Sequence, residues 1–143
     1  MSIIKAVEKA YKLLEERDWD TIYWAIDLHD TCIKSTYKNF DLSWINENVL
    51  KTLALIRSFP ETKIIIWSSC HTHTKLAVSK FFKQNGIYFD FFNQNPDIEN
   101  TPVGNFSEKF YFSILIDDKA GFDPNIDWKL LYEYLIVLKN ERI

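Results

Sequence analysis

Apolar residues in this chain fall into two alternating patterns, spaced repeats and short unbroken runs. Ile3, Ile4, Val7, Ala10, Tyr11 and Leu14 recur every three or four positions, which predicts an amphipathic packing helix over 3–17 with Ser2 at its N-cap. Ile22-Tyr23-Trp24-Ala25-Ile26 is continuous instead, and predicts a buried parallel strand over about 21–27. The polar stretch from Leu28 to Leu42 reads as loop. Ser43 and Glu47 have the spacing of a helix entry, and Trp44, Ile45, Val49, Leu50, Leu53, Ala54 and Ile56 carry that helix to about Ser58, where Pro60 closes it.

The same alternation continues. Lys63-Ile64-Ile65-Ile66-Trp67 predicts a second strand, Ser68 to Thr74 a polar turn, and Leu76, Ala77, Phe81 and Phe82 one face of a helix over about 74–85. Gly86 stands where a helix C′ glycine belongs. Residues 87–92 read as a short aromatic strand, 93–107 as a loop with Pro96, Pro102 and Gly104, and 112–117 as a further strand. A turn with Gly121 and Pro124 leads to a last helix over 128–139. Strands alternating with helices predict an α/β fold of βαβ units with right-handed crossovers and a mostly parallel sheet. No repeat, low-complexity tract or linker divides the chain, so 1–143 is expected to be a single domain, a packing helix (1–19) ahead of a core (20–139).

Composition narrows the function classes. With 143 residues, 47% hydrophobic and 26% charged, the chain can bury a core without staples. A net charge of −3 gives no strong nucleic-acid footprint. The apolar windows have strand length, too short for a membrane span, and Met1 to Arg17 interleaves Lys and Glu with its apolar residues, unlike a signal peptide. With two cysteines and no disulfide required, a reduced, cytoplasmic protein is expected. A homo-oligomer is left open.

The chemistry gathers where strands stop. The first predicted strand ends at Asp27, the second at Ser68-Ser69 and the last at Asp117-Asp118-Lys119. Ligands of open α/β sheets bind beyond the carboxyl ends of the strands. Mg²⁺ favours one or two carboxylates with waters and phosphate oxygens, a carboxylate can also attack phosphorus, and a serine and a lysine can hold the phosphoryl oxygens. Any one such acid or serine would ordinarily only start a turn or cap a helix. Their order along the chain carries more weight than any member.

That order resembles the haloacid dehalogenase-like hydrolase superfamily, in particular its small capless phosphatases of bacterial and phage type. The family's first motif, a strand ending D-x-D-x-T, corresponds to Asp27, Leu28, His29, Asp30 and Thr31. Its second is matched by Ile64-Ile65-Ile66-Trp67-Ser68 and its fourth by Ile114-Leu115-Ile116-Asp117-Asp118. Lys109 is chosen over Lys75 and Lys80 for the third-motif lysine. The resemblance covers about 20–138 and implies a Rossmann-like three-layer αβα fold with no cap domain, since 28–42 and 87–107 are too short to form one. It further implies a Mg²⁺-dependent phosphomonoesterase with Asp27 as nucleophile and metal ligand, Ser68 and Lys109 on the phosphoryl group, and Asp117 and Asp118 on the metal. The alternative is a catalytically weak or inactive phosphate- or metal-binding module.

One position departs from the pattern, because the second aspartate of the first motif is His29 here. The family's backbone carbonyl at this position also ligates the metal, so that role passes to His29. Imidazole is a common general acid-base group with an unperturbed pKa near 6.5, so His29 reads as a substitute acid-base, a specificity change or the mark of a degenerate site. His29, Cys32, Cys70, His71 and His73 also follow the first two strands, and a softer metal such as Zn²⁺ would suit them, but their spacing matches no established zinc pattern. Free thiols and solvent-facing histidines are the default. Without a cap the pocket is expected to be open, admitting a phosphorylated small molecule or an exposed phosphate of a macromolecule. Tyr37, Phe40, Phe91, Phe92, Phe106 and Tyr111 are candidates for an aromatic platform near it.

Overall fold

The computed structural model describes residues 2–34 and 42–142, so Tyr37 and Phe40 lie outside the described residues. In chain order the elements are α1 (Ser2–Glu16), β1 (Ile22–Asp27), α2 (Asn48–Ser58), β2 (Thr62–Trp67), α3 (Thr72–Gln84), β3 (Phe91–Phe92), β4 (Ile114–Ile116) and α4 (Asp127–Glu141). The strands form one parallel sheet in the order β3-β2-β1-β4. β1 is central, pairing with β2 from Ile22↔Thr62 to Asp27↔Trp67 and with β4 from Trp24↔Ile114 to Ile26↔Ile116. The chain steps from β1 outward to β3 and then returns across the sheet to β4. The β1–β4 boundary is therefore the switch point at which such sheets bind ligands.

Register sorts the strand residues onto two faces. Ile22, Trp24, Ile26, Ile64, Ile66, Ile114 and Ile116 share one face and join a single buried cluster with Val7 of α1, Leu53 of α2, Phe82 of α3 and Leu131 of α4. Tyr23, Ala25, Ile65 and Leu115 face the other way, where residues 93–112 cross the sheet. Asp97 pins that segment, accepting from the Tyr23 hydroxyl at 3.2 Å and pairing with Lys63 at 2.5 Å. The Rossmann-like three-layer α/β architecture is thus present, and among the described residues it comprises a wholly parallel sheet and four helices, with no cap domain. Much of its third layer is irregular chain. No helix among the described residues is long and apolar enough to cross a membrane.

Several element boundaries differ from the sequence expectation for identifiable reasons. The second helix begins at Asn48, not near Ser43, because Trp44 forms an antiparallel bridge with Ile33 and packs its ring on Phe81 and Phe82. Glu47 stands at the N-cap with no side-chain bond, and Asn46 just before it accepts from Asn48 N at 2.9 Å through its side-chain oxygen. Of 87–92 only Phe91–Phe92 pairs as a strand, since Asp90 turns its carboxylate to Ile64 N and Arg57 instead. β4 starts at Ile114 because the Ser113 hydroxyl accepts from Tyr23 N, replacing a ladder bond with a side-chain one. Pro60 and Gly86 act as expected: Phe59 before the proline is extended, and Gly86 takes φ +73° after α3.

Candidate active site

Asp27 ends β1, and the six residues after it fold into a tight hook. Leu28 O accepts from Cys32 N at 2.9 Å and Ile33 N at 3.0 Å, while Asp30 takes the left-handed conformation at φ +64° and its N–H donates to Ile33 O at 2.8 Å. Aspartate tolerates that conformation better than most residues. Leu28, Thr31, Cys32 and Ile33 are all fully buried, so the hook is part of the core. The indole of Trp128 on α4 fixes it from behind, donating to Thr31 O at 2.7 Å.

The end of β4 is held as firmly. Asp117 caps a short 3-10 turn over Asp118–Ala120, its Oδ1 accepting from Lys119 N at 3.0 Å and its carbonyl from Ala120 N at 2.9 Å. Gly121 closes the turn at φ +97°, a conformation that suits glycine. Asp118 N donates to Thr31 Oγ1 at 3.0 Å, which ties the two strand ends together.

These turns bring three acids to one point: carboxylate oxygens of Asp27, Asp117 and Asp118 all lie within 4.8 Å of one another. The Thr31 hydroxyl stands between two of them, 2.9 Å from Asp27 Oδ2 and 3.1 Å from Asp118 Oδ1. It has one proton, so it can donate fully to only one of them at a time. Burial pushes the Asp27 carboxyl up to about 6, with the charges of Asp117 and Asp118 adding to the rise and the Thr31 hydrogen bond opposing it. Among the described residues, no Lys or Arg forms an ion pair with any of the three. An all-oxygen carboxylate set has the donor chemistry that suits Mg²⁺.

The other expected site residues are dispersed around this triad. Ser68 directly follows Trp67, the register partner of Asp27, and so lies on the same sheet edge. Its backbone is gripped at both ends by Asn93, Ser68 N donating to Oδ1 at 2.7 Å and Asn93 Nδ2 donating to Ser68 O at 2.5 Å. The Ser68 hydroxyl oxygen accepts from Cys70 N at 3.2 Å, which leaves its proton available. His29 is half-buried, its backbone bridged to Ile33, and it does not belong to the triad. Lys109 is exposed, with its ammonium 6.0 Å from the Phe112 ring centroid and no described contact to the three carboxylates. It lies on the wall of a 770 Å³ cleft that also involves Trp67, Phe110, Phe112 and Leu115 but none of the triad. This cleft is thus beside the acids, not around them.

The cysteines and histidines do not converge. Cys32 is buried in the core, where desolvation pushes its thiol well up, and the rings of His71 and His73 stack 5.8 Å apart. Among the described residues, the aspartate triad is the one group of three or more His, Cys, Asp or Glu donors close enough to share an ion. The aromatic platform also divides. Phe106 meets Tyr111, which packs against Trp19 and Tyr23 near the start of β1, away from Asp27. The pair at the carboxylate end is Trp67 and Phe110, ring centroids 5.2 Å apart. Two residues without a role in the sequence reading, Thr31 and Asn93, organise the strand ends. Thr31 had a usable signal, four positions after Asp27; Asn93 had none.

No family model and no curated protein matches this chain. Its backbone is similar to a solved structure, a conserved protein coded by a locus of Bacteroides thetaiotaomicron, with a TM-score of 0.58 and 21% identity over 83% of this chain and 92% of that one. The likeness bears on fold, and supports the Rossmann-like α/β class.

Proposed function

We propose that this protein is a Mg²⁺-dependent phosphomonoesterase of the haloacid dehalogenase-like kind, working through an aspartyl-phosphate on Asp27. The observation that carries this reading is the meeting of Asp27, Asp117 and Asp118 at the switch point of the sheet, linked by Thr31. Asp27, Asp117 and Asp118, with the carbonyl of His29, would hold Mg²⁺, which when bound supplies positive charge for the phosphoryl oxygens.

An Asp27 oxygen attacks phosphorus, the bond from phosphorus to the ester oxygen breaks, and that oxygen takes a proton from the His29 imidazolium. Water then attacks the phosphorus of the acyl-phosphate while His29 accepts its proton, which releases phosphate and restores the carboxylate. The Ser68 hydroxyl donates to a phosphoryl oxygen, and Lys109, on the wall of the adjacent cleft, is the candidate cation for the same group. The free protein has the Asp27 carboxyl raised to about 6, so a nearby cation favours the ionised, nucleophilic form.

One observation favours a second reading, a binding module with weak turnover: neither His29 nor Lys109 touches the triad. Phosphate release from an aryl phosphate in Mg²⁺ decides between them. The enzymatic reading expects Mg²⁺-dependent release that Asp27→Asn abolishes, whereas equal rates for wild type and variant would reject it. Mg²⁺ binding without turnover would select the module.

A further inference from the structure

We infer that the cleft beside Asp27 takes the leaving group of the phosphomonoester, and that this group is a flat heteroaromatic ring on a short stem, as in a nucleoside monophosphate. The inference deepens the reading of Asp27 as nucleophile and rests on it for the position of the phosphate.

Position comes first. Trp67 on β2 and Leu115 on β4 both line the cleft, and β1 runs between those strands. Between them on β1, Ala25 is the register partner of both Ile65 and Leu115. Two residues further along the same face is Asp27, paired with Trp67. Trp67, on the wall of the cleft, therefore stands beside the carboxylate across the β1–β2 pair. A phosphate held at Asp27 places its ester substituent next to Trp67, at the mouth of the cleft.

Size and chemistry point to the occupant. A volume of 770 Å³ falls within the range of small-ligand pockets, about 300–1,000 Å³, and exceeds what a phosphate alone requires. Trp67 is 45% exposed although its strand is internal, and Phe110 meets its ring at 64°, with Phe112 beyond at 6.0 Å. Such an aromatic wall suits a stacked ring and leaves a small polyol leaving group with apolar surface it cannot cover. On the rim, Gln94 makes no hydrogen bond among the described residues, so its amide can pair with the donor and acceptor edge of a base. The ammonium of Lys109 stands on the same wall and complements an anionic ligand.

The test compares kcat/KM for a nucleoside 5′-monophosphate, phenyl phosphate and glycerol phosphate, in wild type, Trp67→Ala and Trp67→Phe. Wild type is expected to favour the nucleotide over glycerol phosphate by about tenfold or more, with Trp67→Ala erasing the preference and Trp67→Phe retaining most of it. Phenyl phosphate falling between them supports base-edge contacts; phenyl phosphate equal to or above the nucleotide overturns the nucleoside assignment. Asp27-dependent turnover without preference, or a preference that survives Trp67→Ala, overturns the cleft. Should no phosphomonoester turn over, the nucleophile reading fails separately, and calorimetry of the free nucleoside decides the cleft: binding lost in Trp67→Ala supports it, and no binding overturns it.

Discussion

Thr31 and Asp118 are 87 positions apart and grip each other twice: the Thr31 hydroxyl accepts from Asp118 N at 3.0 Å and lies 3.1 Å from Asp118 Oδ1. The same hydroxyl reaches Asp27. One buried threonine thus sets the spacing of two acids delivered by different strands. Thr31→Val keeps the shape but leaves the Asp118 N–H without its acceptor, so stability should fall by about 1–3 kcal/mol in chemical denaturation. Mg²⁺ affinity should fall too, and Thr31→Ser should recover most of both. Unchanged stability in Thr31→Val would remove the threonine from the account.

The raised carboxyl of Asp27 fixes the sign of a pH effect. Folded, it holds its proton up to about 6; unfolded, it releases it near about 3.9. Between those values the folded state binds more protons, so this group makes the metal-free protein less stable as pH rises through the window, levelling off above about 6. Asp27 is only partly buried, so solvent reduces the size of the effect. Urea midpoints at pH 4.5 and 7.5 should show the downward difference in wild type and a smaller one in Asp27→Asn, which should be the more stable of the two at pH 7.5. Mg²⁺ competes with the same proton, so its affinity should climb as pH rises toward and past 6.

His29 offers a prediction that depends on the leaving group. A general acid contributes about 10²–10⁴-fold when the departing oxygen needs its proton, and far less when it does not. His29→Ala should lower kcat by that factor on an alkyl phosphate and only slightly on a nitrophenyl phosphate. Equal losses on both would assign His29 to binding or folding. A large gain in His29→Asp would mark the histidine as a degenerate acid.

The Trp128 indole supports the hook from the far side of the core. Trp128→Phe removes the 2.7 Å bond to Thr31 O and leaves a gap where the ring packs on Phe122. The buried carbonyl then loses its partner, and stability should drop by about 1–3 kcal/mol from the hydrogen bond alone, with a further cavity cost. Because Thr31 loosens with it, Mg²⁺ affinity should weaken although Trp128 is no ligand. Loss of stability with unchanged affinity would separate the hook from the site.

What the sequence made legible follows from which forces are local. β1 and β2 were readable to within a residue because a buried parallel strand needs an unbroken apolar run, and the acids at the ends of β1 and β4 were readable because the runs stop there. Thr31 and the two strand-end turns were present in the pattern, but the bond from Thr31 to Asp118 depends on a distant turn. Lys109 shows the opposite limit. Eight positions before Asp117 it matches a spacing, yet residues 93–112 fold across the second face of the sheet and carry it to the cleft wall, a path set by Asp97 with Tyr23 and Lys63. The helix expected from Ser43 fails for a similar reason: Trp44 gains more by packing on α3 and bridging Ile33 than by extending α2.

Calorimetric titration with Mg²⁺ at pH 7.5, on wild type, Asp27→Asn and Asp117→Asn, tests most directly whether these strand ends form one metal site. Wild type is expected to show a single site that weakens severely in each variant, since the two carboxylates share the ion. Binding that survives unchanged in either variant would contradict it.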